Sequence, residues 1–157
     1  MKKLLLILFL FFTIPTYSQS ILAPPSIPED ELLLAYKSLK HIIDDTNLVV
    51  VIQPYVPLRY GMQWLTEQFH KNLYTISISG YINNDKIRKW VLLHEIGHVI
   101  DFHSGKLHQH PPVWDGELID RDIEWEDRPW EQSAEDWALL MWILFIEETP
   151  PLLIEVE

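Results

Sequence analysis

Apolar and polar positions change rhythm several times along this chain, and each rhythm predicts an element. An unbroken apolar run, Leu4 to Ile14, follows Lys2 and Lys3. Ile21 to Pro28 is proline-rich and predicts an extended lead-in. From Glu29 the pattern turns helical. Glu29, Asp30 and Glu31 crowd a first turn, where carboxylates favour the positive end of the helix dipole, and Leu32, Tyr36, Leu39 and Ile43 recur at helical spacing. Leu48 to Ile52 is short, rich in β-branched residues and bounded by turn formers and Pro54, which predicts a buried strand. In Gly61 to His70 the positions of Met62, Leu65 and Phe69 predict a second helix. Leu73 to Ser79 alternates, with Tyr74, Ile76 and Ile78 against Leu73, Thr75, Ser77 and Ser79. That pattern predicts a strand with one wet face at a sheet edge.

Asn84 or Asp85 can cap a helix running from about Lys86 to His103, and Gly105 closes it. His108 to Trp130 is irregular and acidic. Pro129 then introduces a last helix, about Trp130 to Glu147, with an apolar face of Ala134, Trp137, Ala138, Met141 and Leu144. Helical and strand rhythms occurring together give an α+β chain.

Composition narrows the class. The 157 residues are 48% hydrophobic and include seven Trp, so a packed core is expected rather than disorder. Twelve Lys and Arg face 23 Asp and Glu, and the formal charge of −11 argues against nucleic acid as a partner. Lys2 and Lys3, the apolar run, Pro15 and the small-x-small triplet Thr16-Tyr17-Ser18 form the pattern of a secretory leader. Residues 1–18 are therefore expected to be removed, leaving 19–157 as a single exported domain. About 11 apolar residues fall short of the roughly 20 needed to span a bilayer, so no stable membrane anchor is expected. Without cysteine there is neither a disulfide nor a lipidation site after the leader.

The chemistry is concentrated in His94-Glu95-Ile96-Gly97-His98. Residues four apart on a helix lie about 40° apart around its axis, so His94 and His98 can converge on one cation. Two imidazoles suit zinc, and Glu95 beside them can reach a water on the metal rather than the metal itself. Gly97 removes a side chain between the ligands and permits the close approach of another helix or of substrate. The rest of this helix is apolar, and burying two histidines and a glutamate without partners would be costly.

A catalytic zinc needs a third protein ligand. His103, five residues past His98, points about 140° away and is rejected. Asp101 is rotated by roughly 60° and suits support of a ligand, or capping, better than coordination. His108 and His110 lie in a loop. The acids from Asp115 to Asp127 read as a solvated charge run. Glu131 is the strongest candidate: it shares a helix face with Glu135, Ala134 and Ala138, and acids on a face that enters the core require partners. Glu131 would bind the ion, and Glu135 would accept a hydrogen bond from a ligand imidazole.

His-Glu-x-x-His on one helix with Glu-x-x-Ala-Glu on another, here Glu131-Gln132-Ser133-Ala134-Glu135, resembles the gluzincin metallopeptidases, in particular the lethal factor catalytic domain and the Pro-Pro endopeptidases. The likeness covers roughly residues 73–146. It implies a small zincin-like domain in which a short mixed sheet packs on the His-Glu-x-x-His helix and a C-terminal ligand helix. It also implies Zn2+ held by His94, His98 and Glu131, Glu95 as general base, and Leu73 to Ser79 as the edge strand on which a peptide or protein substrate pairs. The implied activity is that of a secreted zinc endopeptidase. Those relatives carry a tyrosine two helical turns before the ligand glutamate, where this chain has Glu124. The alternative is a catalytically degenerate zincin-fold binding protein that retains zinc.

Overall fold

Strand pairing organises the first half of the chain and helix packing the second. A computed structural model describes residues 20–43, 47–55, 64–79, 82–120, 122–146 and 148–151. The expected leader lies outside the described residues. No described helix is long and apolar enough to cross a membrane.

A four-stranded mixed sheet has the order β1-β2-β4-β3, formed by β1 (Ser20–Leu22), β2 (Val49–Tyr55), β3 (Trp64–His70) and β4 (Leu73–Ser79). β1, β2 and β4 are parallel neighbours, whereas β3 pairs antiparallel with β4. The parallel connection from β1 to β2 is made by helix α1 (Glu29–Ile42), whose first turn carries the three expected acids. Leu39 and Ile43 of the expected stripe are buried, with Leu34 and Ala35 added to them, while Tyr36 is only half-buried, with Lys40 Nζ 5.5 Å from its ring centre.

Two expectations about the sheet are corrected. Residues 64–70 form a strand, not a helix. The two-residue turn Lys71-Asn72 folds them back onto β4, and cross-strand pairing overrides the weak helical spacing of Leu65 and Phe69. Phe69 is accordingly left 64% exposed, while Thr66 is buried. Leu73 to Ser79 is a strand as expected but an inner one, and β3 takes the edge. Tyr74, Ile76 and Ile78 join Val50 and Ile52 in the core, and the hydroxyl face expected to be wet, Thr75, Ser77 and Ser79, is covered as well. Small hydroxyls tolerate this because they find local partners: Gln53 Nε2 donates to Ser77 Oγ at 3.1 Å.

Helix α2 (Asp85–His103) starts at Asn84, whose side chain accepts from the Ile87 amide, and stops at Ser104 and the left-handed Gly105 (φ 77°). The irregular stretch that follows contains a small antiparallel sheet of β5 (Leu107–His108), β6 (Val113–Trp114) and β7 (Glu117–Leu118), tied by an Asp115-Gly116 turn with both φ values positive. A 3-10 turn, Trp125–Asp127, leads into α3 (Pro129–Phe145), where proline occupies the first turn. Ala134, Ala138, Met141 and Trp142 of α3 are buried, while Leu144 of the expected face is 47% exposed. The described residues thus form a small α+β domain with three helices, a mixed sheet and a short antiparallel sheet.

Candidate metal centre

The site is built where α2 and α3 cross. Successive turns of α2 present His94 and His98, with ring centres 4.8 Å apart and planes perpendicular. Because Pro129 starts α3 two residues before it, Glu131 falls in the first turn, and its Oε2 lies 3.2 Å from His94 Nε2 and 3.5 Å from His98 Nε2. One donor atom from each of the three residues lies within 4.8 Å of the others, a group able to hold a metal ion. Among the described residues no other His, Asp or Glu group of three does this.

Gly97 makes the crossing possible. A Cβ built there would sit 2.8 Å from Ala134 Cα and 3.0 Å from the Ala134 carbonyl oxygen, both backbone atoms of α3. Any side chain at 97 would push α3, and Glu131 with it, away from the imidazoles.

The charges are strongly coupled. Burial works against a charge on Glu131, but hydrogen bonds and charges from His94 and His98 outweigh it and hold its pKa down to about 2. Burial resists protonation of His98, yet the hydrogen bond with Glu131 and the negative charges of Glu95, Glu131 and Asp101 raise its pKa. For Asp101 burial dominates and raises the pKa, against hydrogen bonds from Ser133 and Trp137 that lower it. Two imidazoles and a carboxylate drawn to one point are the donor set that a borderline-soft divalent cation uses.

Glu95 is buried beside this group, 4% exposed. Thr66 Oγ1, from the edge strand, is hydrogen-bonded to Glu95 Oε2 and lies 3.2 Å from the Glu95 carbonyl oxygen. Gln109 Nε2 in turn donates to the Thr66 carbonyl oxygen at 3.3 Å. Neither Thr66 nor Gln109 was singled out by the sequence pattern. The signal that could have found Thr66 is the period-two reading of 64–70 before a two-residue turn.

Glu135 is half-buried on α3 and makes no hydrogen bond to either imidazole among the described residues. Asp101 is held from α3. It is 1% exposed, and its Oδ1 accepts from Ser133 Oγ at 3.2 Å and Trp137 Nε1 at 3.4 Å. The rejected ligands stand apart: His103 Nδ1 is 3.3 Å from the Tyr74 hydroxyl, and His108 is exposed on β5. His110 lines a cavity of about 310 Å³ with Gln109, Arg128 and Trp130, at the start of α3. Asp115, Glu117, Asp120, Asp122, Glu124, Glu126 and Asp127 are all exposed, as a solvated run should be. Glu124 precedes the 3-10 turn and is not part of α3.

Compared with models of known families, with curated proteins and with solved structures, the chain matches none.

Proposed function

We propose that this chain is a zincin-like, zinc-dependent endopeptidase acting outside the cytoplasm after loss of its leader. The observation that carries this reading is the meeting of His94, His98 and Glu131 from two helices, with the carboxylate of Glu95 buried beside them. Zinc held by the three would acidify a water and polarise a peptide carbonyl. Glu95 then takes the proton of the attacking water and passes it to the leaving amine. Thr66 engages one oxygen of Glu95, which leaves the other free for that proton. An extended substrate aligns along β3 rather than β4, since β3 is the edge and adjoins Glu95; a substrate amide would take the place of the Gln109 amide on the Thr66 carbonyl.

The second reading, a zinc-retaining binding protein, is favoured by the exposed Glu124 standing where the resembling enzymes have tyrosine. Against it stands the donor count: among the described residues the group contains three protein donors, whereas a closed structural zinc takes four.

Two variants test the proposal. Purified protein should hold one zinc per chain by elemental analysis, and Glu131→Ala should hold none; full retention would remove Glu131 from the site. Glu95→Gln should keep the metal and lose cleavage of a peptide library. Cleavage by the variant at the parent rate would refute the mechanism, and a zinc-loaded parent that cuts nothing would favour the binding protein.

A further inference from the structure

The cavity of about 310 Å³ at the start of α3 borders the candidate centre from two directions. Trp130 in its wall is the residue before Glu131. Gln109 in its wall donates to the carbonyl of Thr66, the residue whose hydroxyl engages Glu95. Gln109, Pro112, Ile123, Arg128 and Trp130 are half-buried and form the inner wall, while Asp120 is exposed at the rim. Such a volume lies at the lower end of ligand sites, roughly 300–1,000 Å³, and suits one side chain or one end of a peptide.

Charge decides what it takes. Arg128 is the cation of the inner wall, and most of its donors are idle: Nε donates to the Ile123 carbonyl at 3.4 Å, and the two terminal nitrogens have no partner among the described residues. The indole N–H of Trp130 donates to none of those residues either. Acids are plentiful nearby, yet Asp120, Asp122, Glu124, Glu126 and Asp127 are exposed, and none of them pairs with Arg128. Asp120 instead accepts the Asp122 amide at 3.1 Å. Arg88 gives the contrast, since its guanidinium is forked onto both oxygens of Glu31. An arginine fork left open in a cavity is complementary to a carboxylate brought from outside.

We propose that this cavity is a substrate subsite that takes a carboxylate, from an acidic side chain or from the free end of the peptide, on the fork of Arg128. The inference rests on the peptidase reading of the neighbouring centre. Exposed acids around the rim repel a free anion, so the carboxylate arrives tethered to a peptide aligned on β3, where its effective concentration offsets the repulsion. A carboxamide fits worse, because it offers the fork one oxygen and turns an amino group against donors that cannot accept.

Three matched peptide libraries test this on the purified, zinc-loaded protein: one acetylated, amidated and free of acids, one with glutamate in place of glutamine, and one with the C-terminus left free. One of the two charged libraries should show kcat/KM about tenfold above the neutral one, the size of a hydrogen-bonded charge pair at a half-exposed site. Which of them does so identifies the source of the carboxylate. Arg128→Gln should bring that ratio near one and Arg128→Glu should invert it, each with one zinc per chain. No preference in the parent, or a preference unchanged in Arg128→Gln, overturns the proposal. A second measurement needs neither metal nor turnover: in nitrogen-correlated proton NMR of the metal-free parent, the side-chain Nε–H of Arg128 should shift on titration with the preferred charged library and stay in place with the neutral one. Shifts that are equal for all three libraries, or absent, overturn the proposal, and this titration decides if the variants do not fold. A parent that binds no zinc or cuts nothing sinks the peptidase reading instead, and the titration, run with both charged libraries, then decides the subsite by itself.

Discussion

Helix α2 buries charge on two sides, and the two sides are finished differently. Toward α1, Glu31 is fully buried, and both its oxygens are taken by Arg88, Nε at 2.8 Å and Nη2 at 2.9 Å. Toward α3, Glu95, His98 and Asp101 are buried and Glu131 is nearly so, yet two of their polar atoms have no partner, and His98 and Glu131 face one point together with His94. A bidentate pair needs nothing further. A cluster of acids and imidazoles with open valences gains from a cation, so the same cost of burying charge is met by arginine on one side and offered to a metal on the other.

Breaking each side separately should separate fold from function. Glu31→Ala, which strands the Arg88 guanidinium, should lower unfolding free energy by about 3–5 kcal/mol in denaturant titration and leave zinc stoichiometry at one. An intact fold with lost zinc would reverse the comparison. Replacing both partners, Glu31→Met with Arg88→Met, should recover most of that loss, because no charge is then left alone. Gly97→Ala comes next: its methyl meets α3 backbone, which cannot move as a side chain can. Stability should fall by about 1–3 kcal/mol, and zinc should weaken as Glu131 is displaced. A variant as stable as the parent would mean that the crossing is loose.

Thr66→Val removes the donor on Glu95 without touching a ligand. Hydrolysis should slow by about tenfold or more at unchanged zinc content, the size of a hydrogen bond to a charged group, with Thr66→Ser restoring most of it. The smallest effect concerns pH. His98 has a raised pKa in the metal-free protein, so protons still compete for its nitrogen where an ordinary imidazole is already neutral. Zinc affinity should therefore keep rising with pH beyond about 6.5, and a plateau below that value would contradict the charge arrangement.

The parts of the fold visible in the residue pattern were those with long, one-sided periodicity. α1, α2 and α3 begin at acids, Asn84 and Pro129 because helix starts have local chemistry, and the pairing of His94, His98 and Glu131 followed from spacing along two helices. The helical expectation for strand β3 failed because ten residues with four apolar positions fit either period, and only the partner strand decides. The depth of β4 was hidden for a related reason: Thr75, Ser77 and Ser79 look like a solvent face in the sequence, and only the tertiary structure buries them. The contacts of Asp101 with Ser133 and Trp137 could not be read from the sequence, because they depend on how two helices rotate against each other.

The amide of Gln109 on the Thr66 carbonyl has a consequence for the molecule in company. A strand at the margin of a sheet offers free backbone groups to any passing copy, and that is how sheets stack into aggregates. In this chain one of those groups is already occupied by a short side chain from a neighbouring loop, so self-association along β3 must first evict a local competitor at high effective concentration.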